Sequence, residues 1–375
     1  MNEYKWFYTN KNYISKINQE KLKKFYNSTF NYELGWEPLP NSKKKESLGN
    51  GKNGFLRFDK AARRSDPNIN IKFSKYAIFG DSYALSRQVK KNETIAHYLG
   101  KMLNNYIPNY GVGNYGLDQA YLRCKKYKDS LNKKHIIYLV VPESIVRINT
   151  RWRHLHETGN IFGFKPKFSI SFDNQLILEK NPISNFSDYE CIFKAFKNNS
   201  SELINDTMYK LRFKDEAFNL ENIISLNSSI FLKFFEYTEW LTRRNFLASI
   251  SDPEGLTVRM KSNSKFTNKC YSNEETRGLL TRLILDINNF HKGNMSIFVL
   301  PQLSDLSIKN HKSIEYFEEI RDKYKINIFD ATKFLINKLG TIKKAELIYV
   351  EKGYGGHLNK KGNLLIANWI KSLIR

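Results

Sequence analysis

Apolar residues along the chain gather in short unbroken runs, and segments of helical period separate those runs. Residues 135–141, His-Ile-Ile-Tyr-Leu-Val-Val, are apolar after the first position, as a strand covered on both faces must be. Residues 69–79, 296–300 and 326–330 repeat the pattern less cleanly. Between the runs, Ile95, Leu99, Met102 and Leu103 predict a helix over 92–104, and a second follows over 118–131. Leu279, Leu280, Leu283, Ile284 and Ile287 predict another, opened by a capping box at Ser272-Asn-Glu-Glu275. Further helices are expected over 314–324 and 360–374. The last has Asn359 as N-cap and Leu364, Leu365, Ile366, Trp369 and Ile370 on its inner face. Strands alternating with helices in this way indicate parallel βαβ units.

The rhythm divides the chain. Residues 1–70 read as an arm packed on the core, with helical spacing over 14–30, a turn-rich segment at 34–41 and a polar loop over 42–54. The core comprises 71–148 and 274–375. Between its halves, 149–273 reads as an inserted cap: a hairpin over 168–178 turning at Asp173-Asn174, then mostly helix over 185–250. An apolar stripe runs there through Ile230, Phe231, Phe234, Phe235 and Leu241. Insertions of this kind often shape substrate entry.

Composition narrows the class. A chain of 375 residues, 41% hydrophobic, with 22 Tyr and 26 Phe, can bury a large core. Three dispersed cysteines, Cys124, Cys191 and Cys270, match neither a disulfide framework nor zinc spacing, and favour a reducing compartment. No apolar run reaches the ~20 residues of a membrane span and no signal peptide opens the sequence, so a cytoplasmic protein is expected. The formal net charge of +24 attracts polyanions, but lysines scattered in twos and threes form no basic block, which argues against nucleic acid as the partner. No metal or cofactor is implied.

The chemistry concentrates in two segments. Gly80-Asp81-Ser82 follows the first core strand, and a serine at that strand end stands on the edge where parallel sheets bind ligands. A hydroxyl needs a base to become a nucleophile, and the best one is His357, in a glycine-rich loop just before the last helix. Gly111-x-Gly113-x-x-Gly116 has dinucleotide-binding spacing, but Pro108 in the run before it and the lack of an acidic residue ~20 positions on assign it to a tight turn.

With Phe79-Gly-Asp-Ser82, the glycine-rich segment 109–116, the strand ending Val140-Val-Pro-Glu-Ser144 and Gly356-His-Leu-Asn359 in this order, the chain resembles the SGNH (GDSL-type) esterase and acyltransferase family. The resemblance covers about 70–150 and 275–375. It implies a three-layer α/β/α parallel sheet, SGNH/flavodoxin-like, with Ser82 as nucleophile and His357 as general base. Backbone N–H groups of Ser82 and of the Gly113-Asn114 turn would form the oxyanion hole. The substrate would be a small-molecule or glycan ester, plausibly O-acetyl on a carbohydrate, with an acyl donor if the reaction is transfer. The chain departs from the family pattern at three points. Asn114 replaces a glycine. No asparagine ends the third segment, which leaves the Ser144 hydroxyl as the available donor. No acid stands two or three residues before His357, so the triad acid would be Glu351 or Asp330. Asp81, Glu143, Arg147 and Arg151 are candidate substrate contacts near the same edge, and Arg147, Arg151 and Arg153 read equally as an anion clamp or as a solvated loop. The alternative function is an impaired SGNH-like module that binds an acidic glycan or a protein partner.

Overall fold

The computed structural model describes residues 17–48, 53–64, 74–131, 134–157, 160–197, 207–209, 258–350 and 356–374. At its centre four parallel strands form one sheet: β1 (Tyr76–Gly80), β2 (His135–Val140), β3 (Met295–Val299) and β4 (Ile328–Asp330), in spatial order β4-β3-β2-β1. The order follows from the connections: each strand adds on one side of β2 or the other. Registers such as Ile78 opposite Ile137 and Tyr138 opposite Ile297 keep one alternation across the sheet. Ala77, Phe79, Ile136, Tyr138, Ile297 and Val299 therefore point to one face, and Ile78, Ile137, Leu139 and Phe298 to the other. Both faces are covered, which is why β2 reads as an unbroken apolar run.

Helices α1 (Ser82–Leu85), α2 (Ile95–Met102), α3 (Leu117–Lys126), α4 (Ser144–Ile148), α5 (Glu274–Phe290), α6 (Lys312–Tyr324), α7 (Ala331–Leu339) and α8 (Lys360–Leu373) surround the sheet. The first face packs against α3, α5 and α6, and the second against α2, α7 and α8. The architecture is mixed α/β. Among the described residues, no helix is long and apolar enough to cross a membrane.

Several expectations shift. Residues 106–112, given no element in the sequence reading, run alongside β1: Ile78 N–H donates to Pro108 O and Tyr110 N–H to Ile78 O, at 2.9 and 2.7 Å. Polar residues 42–54 are not a loop. They supply most of an antiparallel hairpin, Lys43–Ser47 with Asn53–Arg57, whose first strand is largely exposed and so lacks apolar alternation. The cap of α5 is Asn273, which accepts from Thr276 N–H, rather than Ser272. In α8 the buried positions are Gly362, Asn363, Ile366, Ala367 and Ile370, whereas Leu364 is 43% exposed. The 168–178 hairpin is present as Lys167–Ile170 with Leu176–Glu179. The stripe through Ile230 and Leu241 lies outside the described residues.

Candidate functional site

The C-terminal rim of the sheet begins with a glycine that has no substitute. Gly80 has φ +145°, and a Cβ there would lie 1.8 Å from Leu139 O on the neighbouring strand. The chain then turns into α1, whose N-cap is Asp81 and whose first residue is Ser82. Asp81 is fully buried: one carboxylate oxygen accepts from Tyr83 N–H at 2.7 Å, the other from Val141 N–H at 2.9 Å. It ties the serine loop to the end of β2 and cannot reach a substrate, which corrects its assignment as a substrate contact. Burial pushes its pKa up, opposed by the Arg147 guanidinium and the two backbone donors.

His357 arrives from the other end of the chain. Its backbone O accepts from Val350 N–H at 2.7 Å, and a bridge pairs Tyr349 with Leu358. Asn359 caps α8 through Lys361 and Gly362 N–H while its amide donates to Leu347 O and Tyr349 O. Tyr83, beside the serine, donates its hydroxyl to Gly356 O at 2.7 Å. These ties bring His357 Nε2 to 2.9 Å from Ser82 Oγ. The two segments thus meet on one rim.

Behind the imidazole stands a residue the sequence reading missed. His357 Nδ1 lies 2.7 Å from Gln88 Oε1. With Nδ1 protonated and donating to that amide oxygen, Nε2 is left as the acceptor facing Ser82. Gln88 follows Ser86, and both have left-handed backbones, at φ +66° and +50°. That double reversal folds the six-residue loop after Ser82 back over the histidine. Such conformations are uncommon away from glycine and collect at functional sites. Arg64, buried at 8% exposure, donates to Leu85 O and Ser86 O and, at 2.6 Å, to Val89 O, clamping the loop from the N-terminal segment. Burial lowers the Arg64 pKa to about 10.

The proposed acids stand elsewhere. Asp330 is the N-cap of α7, accepting from Thr332 N–H at 2.8 Å, and its other oxygen has no partner; burial raises its pKa to about 6. It serves the helix start, not the histidine. Glu351 lies outside the described residues.

The second segment wraps the serine loop. Gly111 approaches so closely that a Cβ would sit 2.2 Å from Leu85 N. Asn109 donates to Ala84 O at 2.6 Å and accepts from Gly111 N–H at 2.9 Å. Val112 N–H reaches Gly80 O at 3.0 Å, and the chain turns at Gly113-Asn114 with Asn114 at φ +64°, a turn position that asparagine tolerates next best after glycine. The backbone N–H groups of Ser82, Gly113 and Asn114 are taken up by no acceptor among the described residues. Ser144 Oγ accepts from Leu117 N–H at 2.8 Å, joining the second and third segments.

The remaining substrate candidates are structural. Arg147, 5% exposed, donates to Glu143 at 2.6 and 3.2 Å, to Tyr115 O at 3.0 Å and to Asp81 at 3.4 Å. Burial opposes its charge, yet the Glu143 and Asp81 carboxylates raise its pKa. With both Glu143 and Arg147 engaged internally, neither acts as a clamp. Arg151 pairs with Glu179 of the 167–179 hairpin. His154 lies tilted against Trp152, ring centroids 4.7 Å apart, and burial lowers its pKa to about 4. Among the described residues no group of three or more histidine, cysteine, aspartate or glutamate side chains is arranged to hold a metal ion. Comparison with protein-family models and with curated proteins finds no match to either.

Proposed function

We propose that the protein is an SGNH-like serine esterase or O-acyltransferase acting on a small-molecule or carbohydrate ester, with O-acetyl the expected group. The observation that carries the reading is the 2.9 Å contact of Ser82 Oγ with His357 Nε2, beside three backbone N–H groups without acceptors. Ser82 Oγ attacks the ester carbonyl as its proton passes to Nε2, forming a C–O bond and placing negative charge on the carbonyl oxygen. The Ser82 and Gly113-Asn114 amides suit that charge, because they are fixed before it develops. Collapse breaks the bond to the alcohol, which takes the proton from Nε2 and leaves Ser82 acylated. Water or a second hydroxyl, deprotonated by Nε2, then releases the acyl group.

Gln88 holds the imidazole tautomer but brings no charge to stabilise the imidazolium. A neutral third member favours, as the second reading, a binding module with little turnover. Labelling with a fluorophosphonate decides between them. Labelling that disappears in Ser82→Ala supports the enzyme, whereas a native protein that resists the reagent favours the binding module.

A further inference from the structure

Beside the Gly113-Asn114 turn lies a group of charges that the catalytic arrangement does not use. Arg87 lies in the serine loop, its N–H donating to Ser82 O at 3.2 Å, and its side chain passes 3.9 Å from where a Gly113 Cβ would be. It pairs with Glu46 of the 43–57 hairpin at 2.6 Å. Arg153 pairs with Glu157 at 2.6 Å, and Glu157 in turn accepts from the Asn114 amide at 2.6 Å, so this second pair is anchored on the turn itself. Lys44 stands two residues from Glu46 on the hairpin face that bears Leu56, which packs with Leu85 of the serine loop. Lys44 has no ion pair among the described residues. Three cations therefore share two carboxylates. Desolvation is the main cause that lowers the Lys44 pKa; Arg87 and, more weakly, Arg153 add to it, and Glu46 opposes them. Each arginine spends Nε and Nη2 on its glutamate, leaving Nη1 to donate elsewhere.

Resting on the esterase reading above, we infer that Lys44, Arg87 and Arg153 select an ester carrying a carboxylate or phosphate, held next to the oxyanion turn. A neutral ester would leave the surplus charge unanswered. An anionic group would complete the cluster through charge-assisted hydrogen bonds. Of the sequence's three candidates for this task, Arg147 and Arg151 are occupied elsewhere, Arg153 remains, and the anion site moves to the hairpin side of the serine.

The test pairs each acidic ester with a neutral one of similar leaving group: 4-acetoxybenzoate, its carboxylate on the alcohol half, with phenyl acetate, and mono-4-nitrophenyl succinate, its carboxylate on the acyl half, with 4-nitrophenyl acetate. Native protein is expected to favour at least one acidic ester over its neutral partner in kcat/KM. The acidic-to-neutral ratio should fall roughly tenfold in Arg87→Gln and in the exposed-site variant Lys44→Glu, and should shrink with added salt. The ester that shows the preference identifies which half carries the charge. An acidic-to-neutral ratio at or below one that Lys44→Glu does not change overturns the inference while leaving the esterase reading intact. Should no ester turn over and Ser82 resist fluorophosphonate, the esterase reading fails on its own. Calorimetry with the uncleavable amide 4-acetamidobenzoate then decides the anion site: binding lost in Lys44→Glu supports it, and no binding to native protein removes it.

Discussion

The sheet has a serine–histidine contact at each end, and only one has the makings of a reactive site. At the opposite edge His135 Nε2 lies 2.9 Å from Ser296 Oγ, with Nδ1 3.0 Å from Asn294 Oδ1. In distances alone this trio matches Ser82, His357 and Gln88. The backbone differs. Ser296 lies within β3, opposite Ile137 of β2, at a ladder position rather than at the start of a helix. Ser82 opens a helix beside a glycine turn, with unclaimed N–H groups on both. A hydroxyl near an imidazole is common ground; somewhere to put the charge is what separates the two edges.

The comparison breaks or sharpens in measurable ways. Ser82→Ala should lower ester turnover by at least ~1,000-fold. Ser296→Ala should leave turnover unaffected, and equal losses in the two variants would sink the distinction. Gly111→Ala keeps both serine–histidine pairs but drives a methyl into Leu85 N; a loss of about 100-fold in kcat is expected as the amide donors shift, with ~1–3 kcal/mol of stability lost in urea unfolding. If kcat holds while stability drops, the donors are not where the turn places them. Gln88→Ala should reduce kcat by about 10- to 100-fold through loss of the imidazole orientation. Gln88→Glu should restore activity and move the acidic limb of kcat/KM to higher pH, because a carboxylate favours the imidazolium. An unmoved limb would show that residue 88 does not face the ring in solution.

The smallest effect is on stability, where the two edges titrate in opposite senses. Asp305, in the loop after β3 on the reactive rim, has its pKa raised by burial to about 7. The native state keeps that proton above the pH at which the unfolded chain releases it, so its stabilising effect is lost as pH rises from about 4 to 7, by a few kcal/mol at most. His291, bonded to Tyr138 at 2.9 Å near the opposite edge, has its pKa lowered by burial to about 4. It stays neutral when folded, so stability is lost as pH falls from about 6.5 to 4. Asp305→Asn should make urea midpoints rise more steeply between pH 4 and 7, and His291→Gln should make them rise less.

Much of this was legible in the chain. The apolar run of β2, the Asn359 cap and the Ser82 and His357 segments each follow from local chemistry that tertiary contacts reinforce. Gln88 was not legible, because a glutamine six residues past a serine looks like surface until two left-handed residues swing it inward. The first strand of the 43–57 hairpin was hidden for the opposite reason: Lys43, Lys44 and Lys45 all keep much of their surface exposed, and only Glu46 is buried. Arg147 misled because a guanidinium reads the same whether it meets a substrate or the protein's own carboxylates.

Tyr83 gives its hydroxyl to the carbonyl of Gly356, one residue before the base. The neighbour of Ser82 therefore holds in place the loop that carries His357. On the esterase reading, Ser82 without that loop beside it is an ordinary alcohol, a weak nucleophile toward any ester. On that reading, chemistry at the end of the first strand waits on residues from the far end of the chain being in place.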